Sequence, residues 1–128
     1  MNSKTAAVLA VVMAVALVAA GAAFSRGAST PTLKGVVGPF FTISLKKGGK
    51  KVKTLKAGKY KIVIRDLSSA HNFTLEREKP SKPHMEKLIT STKGTGTKSV
   101  VWTLKPGNWR AYCSVHEAEM HQDFKVVK

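Results

Sequence analysis

The sequence predicts an all-β domain, a Greek-key antiparallel β-sandwich, preceded by an N-terminal hydrophobic signal or anchor helix. Three observations carry that expectation. Beyond residue 32 the apolar residues recur at every second position, the period of a half-buried strand, with no helical period of 3.6. Turn residues break the alternation at short intervals, the spacing of a sandwich. The first 24 residues differ in kind from all that follow.

At 128 residues the chain has room for one domain. No charged residue lies between Thr5 and Ser25, and Ala6 to Phe24 is apolar except for Gly21. Lys4 before the run and the small residues Ala19 to Ala23 at its end give the layout of an export signal. The run is also long enough to cross a bilayer as an uncleaved anchor. Residues 1–24 are therefore read as signal peptide or membrane anchor, 25–32 as a small polar linker, and 33–128 as the folded domain. The expected location is extracytoplasmic, in the periplasm or on the outer face of the cytoplasmic membrane. A lipoprotein is excluded, because the one cysteine is Cys113 and none ends the apolar run. That single cysteine also forbids an intramolecular disulfide.

The strands follow in order. Phe41, Ile43 and Leu45 alternate with polar neighbours, as do Tyr60, Ile62 and Ile64, then Phe73 and Leu75. Val100, Trp102 and Leu104 form the next row, and Trp109, Ala111 and Cys113 the last before a short β-rich tail. The turns between them are Gly48-Gly49, Ala57-Gly58, Asp66 to Ser69, Lys93 to Gly96 and Pro106-Gly107. Trp102 and Trp109 read as core aromatics. Glu76 to Lys98, with Pro80, Pro83 and many lysines, is expected as a long loop with a short helical turn around His84 to Ile89.

The chemistry concentrates near the C-terminus. Cys113, His116 and Met120 place a thiolate, an imidazole and a thioether on one tight connection between two strands. A second imidazole, His71, shares strand parity with inward Phe73 and Leu75. Two nitrogens, one thiolate and a weak axial thioether form the donor set of a mononuclear blue-copper site. Sulfur suits Cu(I) and nitrogen suits Cu(II), so a mixed set serves both states with little movement.

These residues carry a resemblance. Gly38 to Leu45, Ser69-Ala70-His71-Asn72-Phe73, and Tyr112-Cys113-Ser114-Val115-His116 through Met120 and Phe124 are similar to the cupredoxins. Those are the type 1 blue copper proteins of the plastocyanin and azurin group, here in particular the small exported bacterial members with one domain. The likeness runs from about Leu33 to Lys128. It implies one copper ion as cofactor, held by His71, Cys113, His116 and Met120. It also implies that Asn72 ties the two ligand loops and helps hold the thiolate, that Ser114 supports it, and that His116 is the partly exposed ligand through which electrons pass. The implied function is an exported carrier of single electrons by Cu(II)/Cu(I) cycling. The alternative is a copper-binding or delivery protein of the cell envelope, serving an oxidase or resistance.

An enzyme is not expected. Four histidines cannot furnish a type 1 site together with a trinuclear cluster, and one cysteine cannot furnish a binuclear purple-copper centre. Departures from the family pattern are Val115, where relatives often have proline, and Gln122, where glycine often follows the methionine by two. His121 reads as a surface residue, and His84-Met85 as part of a solvated loop.

With 22 Lys and Arg against 7 Asp and Glu, the chain carries +15, and loss of residues 1–24 removes only Lys4, leaving +14. Charge alone would fit nucleic acid. Export and the absence of a recognition element argue against it. The expected partner is a redox protein, acidic or membrane-bound, or an anionic envelope surface, met by a monomer. Lys46, Lys47, Lys50, Lys51 and Lys53 read mainly as a solvated hairpin face.

Overall fold

The computed structural model describes residues 29–128. The signal or anchor segment, residues 1–24, and the first half of the linker, residues 25–28, lie outside the described residues. Strand β1 (Thr32–Val37) starts at the last residue of the expected linker. Nine further strands follow: β2 (Ile43–Lys47), β3 (Lys50–Lys51), β4 (Thr54–Lys56), β5 (Gly58–Asp66), β6 (Phe73–Lys79), β7 (Glu86–Thr90), β8 (Gly96–Leu104), β9 (Gly107–Tyr112) and β10 (His121–Val127). No helix occurs among the described residues.

The strands form two five-stranded sheets, ordered β3-β2-β1-β5-β8 and β4-β10-β9-β6-β7. Pairing is antiparallel except for β1 with β5 and β4 with β10, which run parallel. Alternation sets the register of burial. Tyr60, Ile62 and Ile64 of β5 face inward against Phe73 and Leu75 of β6, Trp109 and Ala111 of β9, and Phe124 and Val126 of β10. Trp109 meets Trp102 edge to face at 5.3 Å and stacks on Phe124 at 6.4 Å. Its indole N–H donates to the Lys105 carbonyl at 2.9 Å, so the buried polar atom is satisfied. Trp109 is in the core, and Trp102 packs half-buried against it.

Gln122 is the polar exception on the inward face of β10. Its amide nitrogen donates to the carbonyls of Leu45 and Val52 at 3.0 and 3.1 Å, and its oxygen accepts the Leu45 N–H at 3.0 Å. One side chain thus bonds three backbone groups of Leu45 and Val52, of which the Leu45 carbonyl also accepts the Val52 N–H at 3.0 Å.

Two local expectations are corrected. Glu76 to Lys98 is not a loop with a helical turn. β6 continues to Lys79, and β7 returns antiparallel beside it with Glu76 opposite Glu86. β7 is a sheet edge where only Ile89 and Thr90 are buried while Leu88 faces water, so its alternation is masked. Phe41 does not join the inward row of β2. It precedes that strand and is 60% exposed.

Charge divides along the chain and between the sheets. Ser29 to Arg65 holds ten Lys and Arg and no Asp or Glu, and these residues build most of the first sheet. All seven acidic residues fall between Asp66 and Asp123.

Candidate metal centre

Three turns at one end of the sandwich build the site. The first follows β1. Gly38 takes φ +74°, a left-handed conformation open to glycine, and a Cβ there would lie 3.0 Å from Ser68. Gly38 N–H donates to the Thr42 carbonyl at 2.8 Å, so the turn closes on itself and turns Phe40 and Phe41 outward.

The second turn leads from β5 to β6. The Asp66 carboxylate accepts the Ser68 N–H at 3.0 Å, the Ser68 hydroxyl accepts the Ala70 N–H at 3.1 Å, and His71 N–H donates to the Ser68 carbonyl at 3.2 Å. Short polar side chains bond neighbouring backbone and replace the strand ladder there. They deliver His71, buried, at the start of β6.

The third joins β9 to β10. His116 N–H donates to the Cys113 carbonyl at 3.1 Å, Met120 N–H to the His116 carbonyl at 2.8 Å, and Cys113 N–H to the Met120 carbonyl at 3.0 Å. The loop that carries Cys113, His116 and Met120 is therefore laced through those three residues. Cys113 and Met120 are fully buried and His116 is part-exposed.

The two turns bring their donors together. His71 Nδ1 lies 3.1 Å from His116 Nδ1, and the Cys113 sulfur lies 3.9 and 3.8 Å from those nitrogens. A triangle with these sides has a circumscribed radius of about 2.1 Å, so one point is equidistant from all three donors at a length typical of metal–nitrogen bonds. Two ring nitrogens facing each other at 3.1 Å cannot both carry protons, so at least one lone pair points into the gap. Two imidazole nitrogens and a thiol around one centre can hold a metal ion.

Asn72 locks the two turns. Its amide donates to the Ser114 hydroxyl at 2.7 Å and accepts the Ser114 N–H at 2.9 Å, while its backbone N–H points at the Cys113 sulfur at 3.4 Å. Charge-favouring donors of this kind stabilise a thiolate. The structure thus gathers His71, Cys113 and His116, sets buried Met120 on the same loop, and links Asn72 to Ser114. His121 is exposed, its Nδ1 2.8 Å from the Glu117 carbonyl, away from the gap. His84 sits on the β6–β7 hairpin, while Met85 packs against the core.

Phe41 is the participant that periodicity conceals. Its ring meets His116 edge-on at 5.0 Å and His71 at 5.5 Å, roofing both imidazoles. The signal for it is the Gly38-Pro39 turn directly before two aromatics. Phe40, Leu67 and Val115 extend an exposed apolar rim around it. Behind the loop, Arg110 of β9 binds Asp123 through two bonds of 2.7 and 3.1 Å and Glu117 at 3.0 Å. These bonds hold the Asp123 carboxyl below the usual carboxylate range, and Glu117 braces the loop between His116 and Met120. Burial, with the nearby Glu86, Glu76 and Glu117 carboxylates, pushes the Tyr112 phenol up to about 12, so it stays protonated.

No protein-family model matches the chain, and no curated protein matches it in sequence. Solved structures match its fold. Rusticyanin from Thiobacillus ferrooxidans superposes with a TM-score of 0.52 at 19% identity, over 77% of this chain and 77% of its own. Auracyanin A, a "blue" copper protein from Chloroflexus aurantiacus, gives 0.51 at 17% identity, over 75% of this chain and 98% of its own. Reduced auracyanin from Roseiflexus castenholzii gives 0.53 at 15% identity, over 77% and 98%. The chain has the cupredoxin fold.

Proposed function

We propose that the protein is an exported mononuclear copper protein that carries single electrons between redox partners. The observation that carries this reading is the convergence of His71, His116 and Cys113 on one point about 2.1 Å from each donor, in a fold shared with blue copper proteins. Copper bound there supplies one-electron chemistry between Cu(II) and Cu(I). His71, Cys113 and His116 hold it, with the buried Met120 as the fourth, weaker donor. Asn72 and Ser114 keep the loops from shifting when the charge at the centre changes, which keeps reorganisation small. Phe41 excludes water from the imidazoles. The exposed edge of His116, inside the apolar rim, is where a partner gains access.

Delivery of copper to another protein is the competing reading. Cargo must leave, and full burial of Cys113 and Met120 disfavours that. No substrate is altered in the favoured reading, so the protein is a carrier and not an enzyme. The basic first sheet favours docking to an acidic protein or an anionic envelope surface, an attraction that weakens as salt rises.

Adding Cu(II) to the purified protein tests this. The expected result is an intense visible thiolate-to-copper band, absent from Cys113→Ser, and a reversible one-electron titration. A protein that stays colourless and binds no copper ends the reading. One that holds Cu(I) but releases it readily to a chelator favours delivery.

A further inference from the structure

A second group of donors lies on the β6–β7 hairpin and shares no residue with the Cys113 centre. Glu76 and Glu86 are directly opposed cross-strand partners, the arrangement in which like charges repel. Among the described residues no Lys or Arg pairs with either, although the chain holds 22 of them. Arg110 is the β9 neighbour of Glu76 in register, yet its guanidinium goes to Asp123, Glu117 and Glu78. Glu76 also meets the Tyr112 phenol, but the group that faces both carboxylates is an imidazole. His84 Nδ1 lies 4.0 Å from Glu76 Oε1, and Nε2 lies 3.5 Å from Glu86 Oε2. One donor atom from each of the three residues falls within 4.8 Å of the other two.

The backbone that presents His84 is fixed on both sides. Arg77, buried beneath the hairpin, donates from its guanidinium to the Pro83 carbonyl at 2.8 Å. Its own N–H donates to the Met85 carbonyl at 2.8 Å. The residues before and after His84 are thus both held to β6. Glu76 is three-quarters buried, with 27% of its side chain exposed, so water screens its charge only in part.

We propose that Glu76, Glu86 and His84 form a second cation site, which takes a borderline divalent ion of the zinc class through two carboxylate oxygens and one imidazole nitrogen. Oxygen and nitrogen donors without sulfur suit Zn²⁺ and exclude selection for Cu(I). A bound dication removes the repulsion between the opposed carboxylates and stabilises the hairpin by binding only the folded chain. The Glu76 carboxyl is already raised by burial and then by Glu86, the behaviour of a carboxylate pair short of positive charge.

The test is a Zn²⁺ titration of the full-length chain in detergent solution, followed by the ring resonances of His84 and by the thermal unfolding midpoint. Saturable movement of the His84 signals and a rising midpoint are expected, unchanged in Cys113→Ser. Glu86→Gln relieves the repulsion and so should fold, but should weaken the His84 response by roughly tenfold or more. His84→Gln, at a side chain 65% exposed, should abolish the zinc-dependent rise in midpoint. Zinc uptake that leaves the His84 signals unmoved overturns the proposal. So does a His84 response of equal strength in Glu86→Gln.

Discussion

The Asn72 side chain bonds the hydroxyl and the backbone N–H of Ser114, 42 residues away, at 2.7 and 2.9 Å and so joins the turn that carries His71 to the loop that carries Cys113. Asn72→Ala should leave Ser114 N–H without its partner in a half-buried place, at a cost of about 1–3 kcal/mol. Copper affinity should fall roughly 10- to 100-fold, as for other residues that orient ligands. Chemical denaturation of the metal-free protein and competition for copper against a chelator check the two effects separately. An unchanged copper affinity would show that the pair serves stability alone.

Gln122→Leu should be among the most damaging substitutions far from solvent. It keeps the volume but removes the Gln122 partner of the Leu45 N–H and of the Val52 carbonyl, and leaves the Leu45 carbonyl only the Val52 N–H. The expected loss is about 2–4 kcal/mol. Gln122→Glu should be worse still at neutral pH, since it buries a charge and replaces the donor to two carbonyl oxygens with an acceptor. Denaturant midpoints at constant slope measure both.

Gly107 opens β9 at φ +150°. A Cβ there would collide with the Lys79 carbonyl and lie 2.8 Å from Arg77 Cδ. Gly107→Ala should therefore push β9 away from β6 and cost about 3 kcal/mol or more. A substitution that leaves the unfolding midpoint in place would mean that the bulge between Arg77 and Lys79 yields freely.

Phe41→Ala removes the roof from both imidazoles. The fold should survive, since Phe41 is mostly exposed. Water then reaches the site and favours its more highly charged, oxidised form, so the copper reduction potential should fall. A potential equal to that of the parent protein would remove Phe41 from the functional set.

Arg110 holds the Asp123 carboxyl below its unfolded value. A lowered folded value means stability that is fully present above the ordinary carboxylate value of about 3.9 and lost as pH falls below it through the folded value. Asp123→Asn should thus differ from the parent at neutral pH and converge with it in acid. The Asp123 side chain is 55% exposed, so solvent screening keeps the difference below about 1 kcal/mol. Unfolding midpoints from neutral to acid pH, at low and high salt, show whether the gap closes.

The sequence reveals those parts of the fold where one face of a strand is wholly buried. β5 and β9 alternate cleanly because their inward residues enter the core, and β8 keeps the same period with Leu104 buried and Val100 and Trp102 packed half-buried against the core. β7 does not, since its apolar Leu88 faces water while Thr90 is buried. β3 and β4, two and three residues long, are shorter than any period can resolve. In the site, Cys113, His116 and Met120 are legible because their spacing is local, and His71 because it shares parity with Phe73. Phe41 reads as one more inward strand residue until the Gly38 turn is known to point it outward. Gln122 hides for the opposite reason: a polar residue in an inward row looks like a defect until its three backbone partners are in view.

On the proposed reading, the laced loop from Cys113 to Met120 also governs when copper is acquired. A thiolate, an imidazole and a thioether within eight consecutive residues need no tertiary structure to meet, because closing so short a loop costs little entropy. His71 is 45 residues upstream of His116 and arrives only when β6 pairs with β9. On the proposed reading, an exported chain can therefore capture copper before it folds. The remaining coordination bond then forms at the moment the second sheet assembles, so that metal loading and maturation become one cooperative reaction.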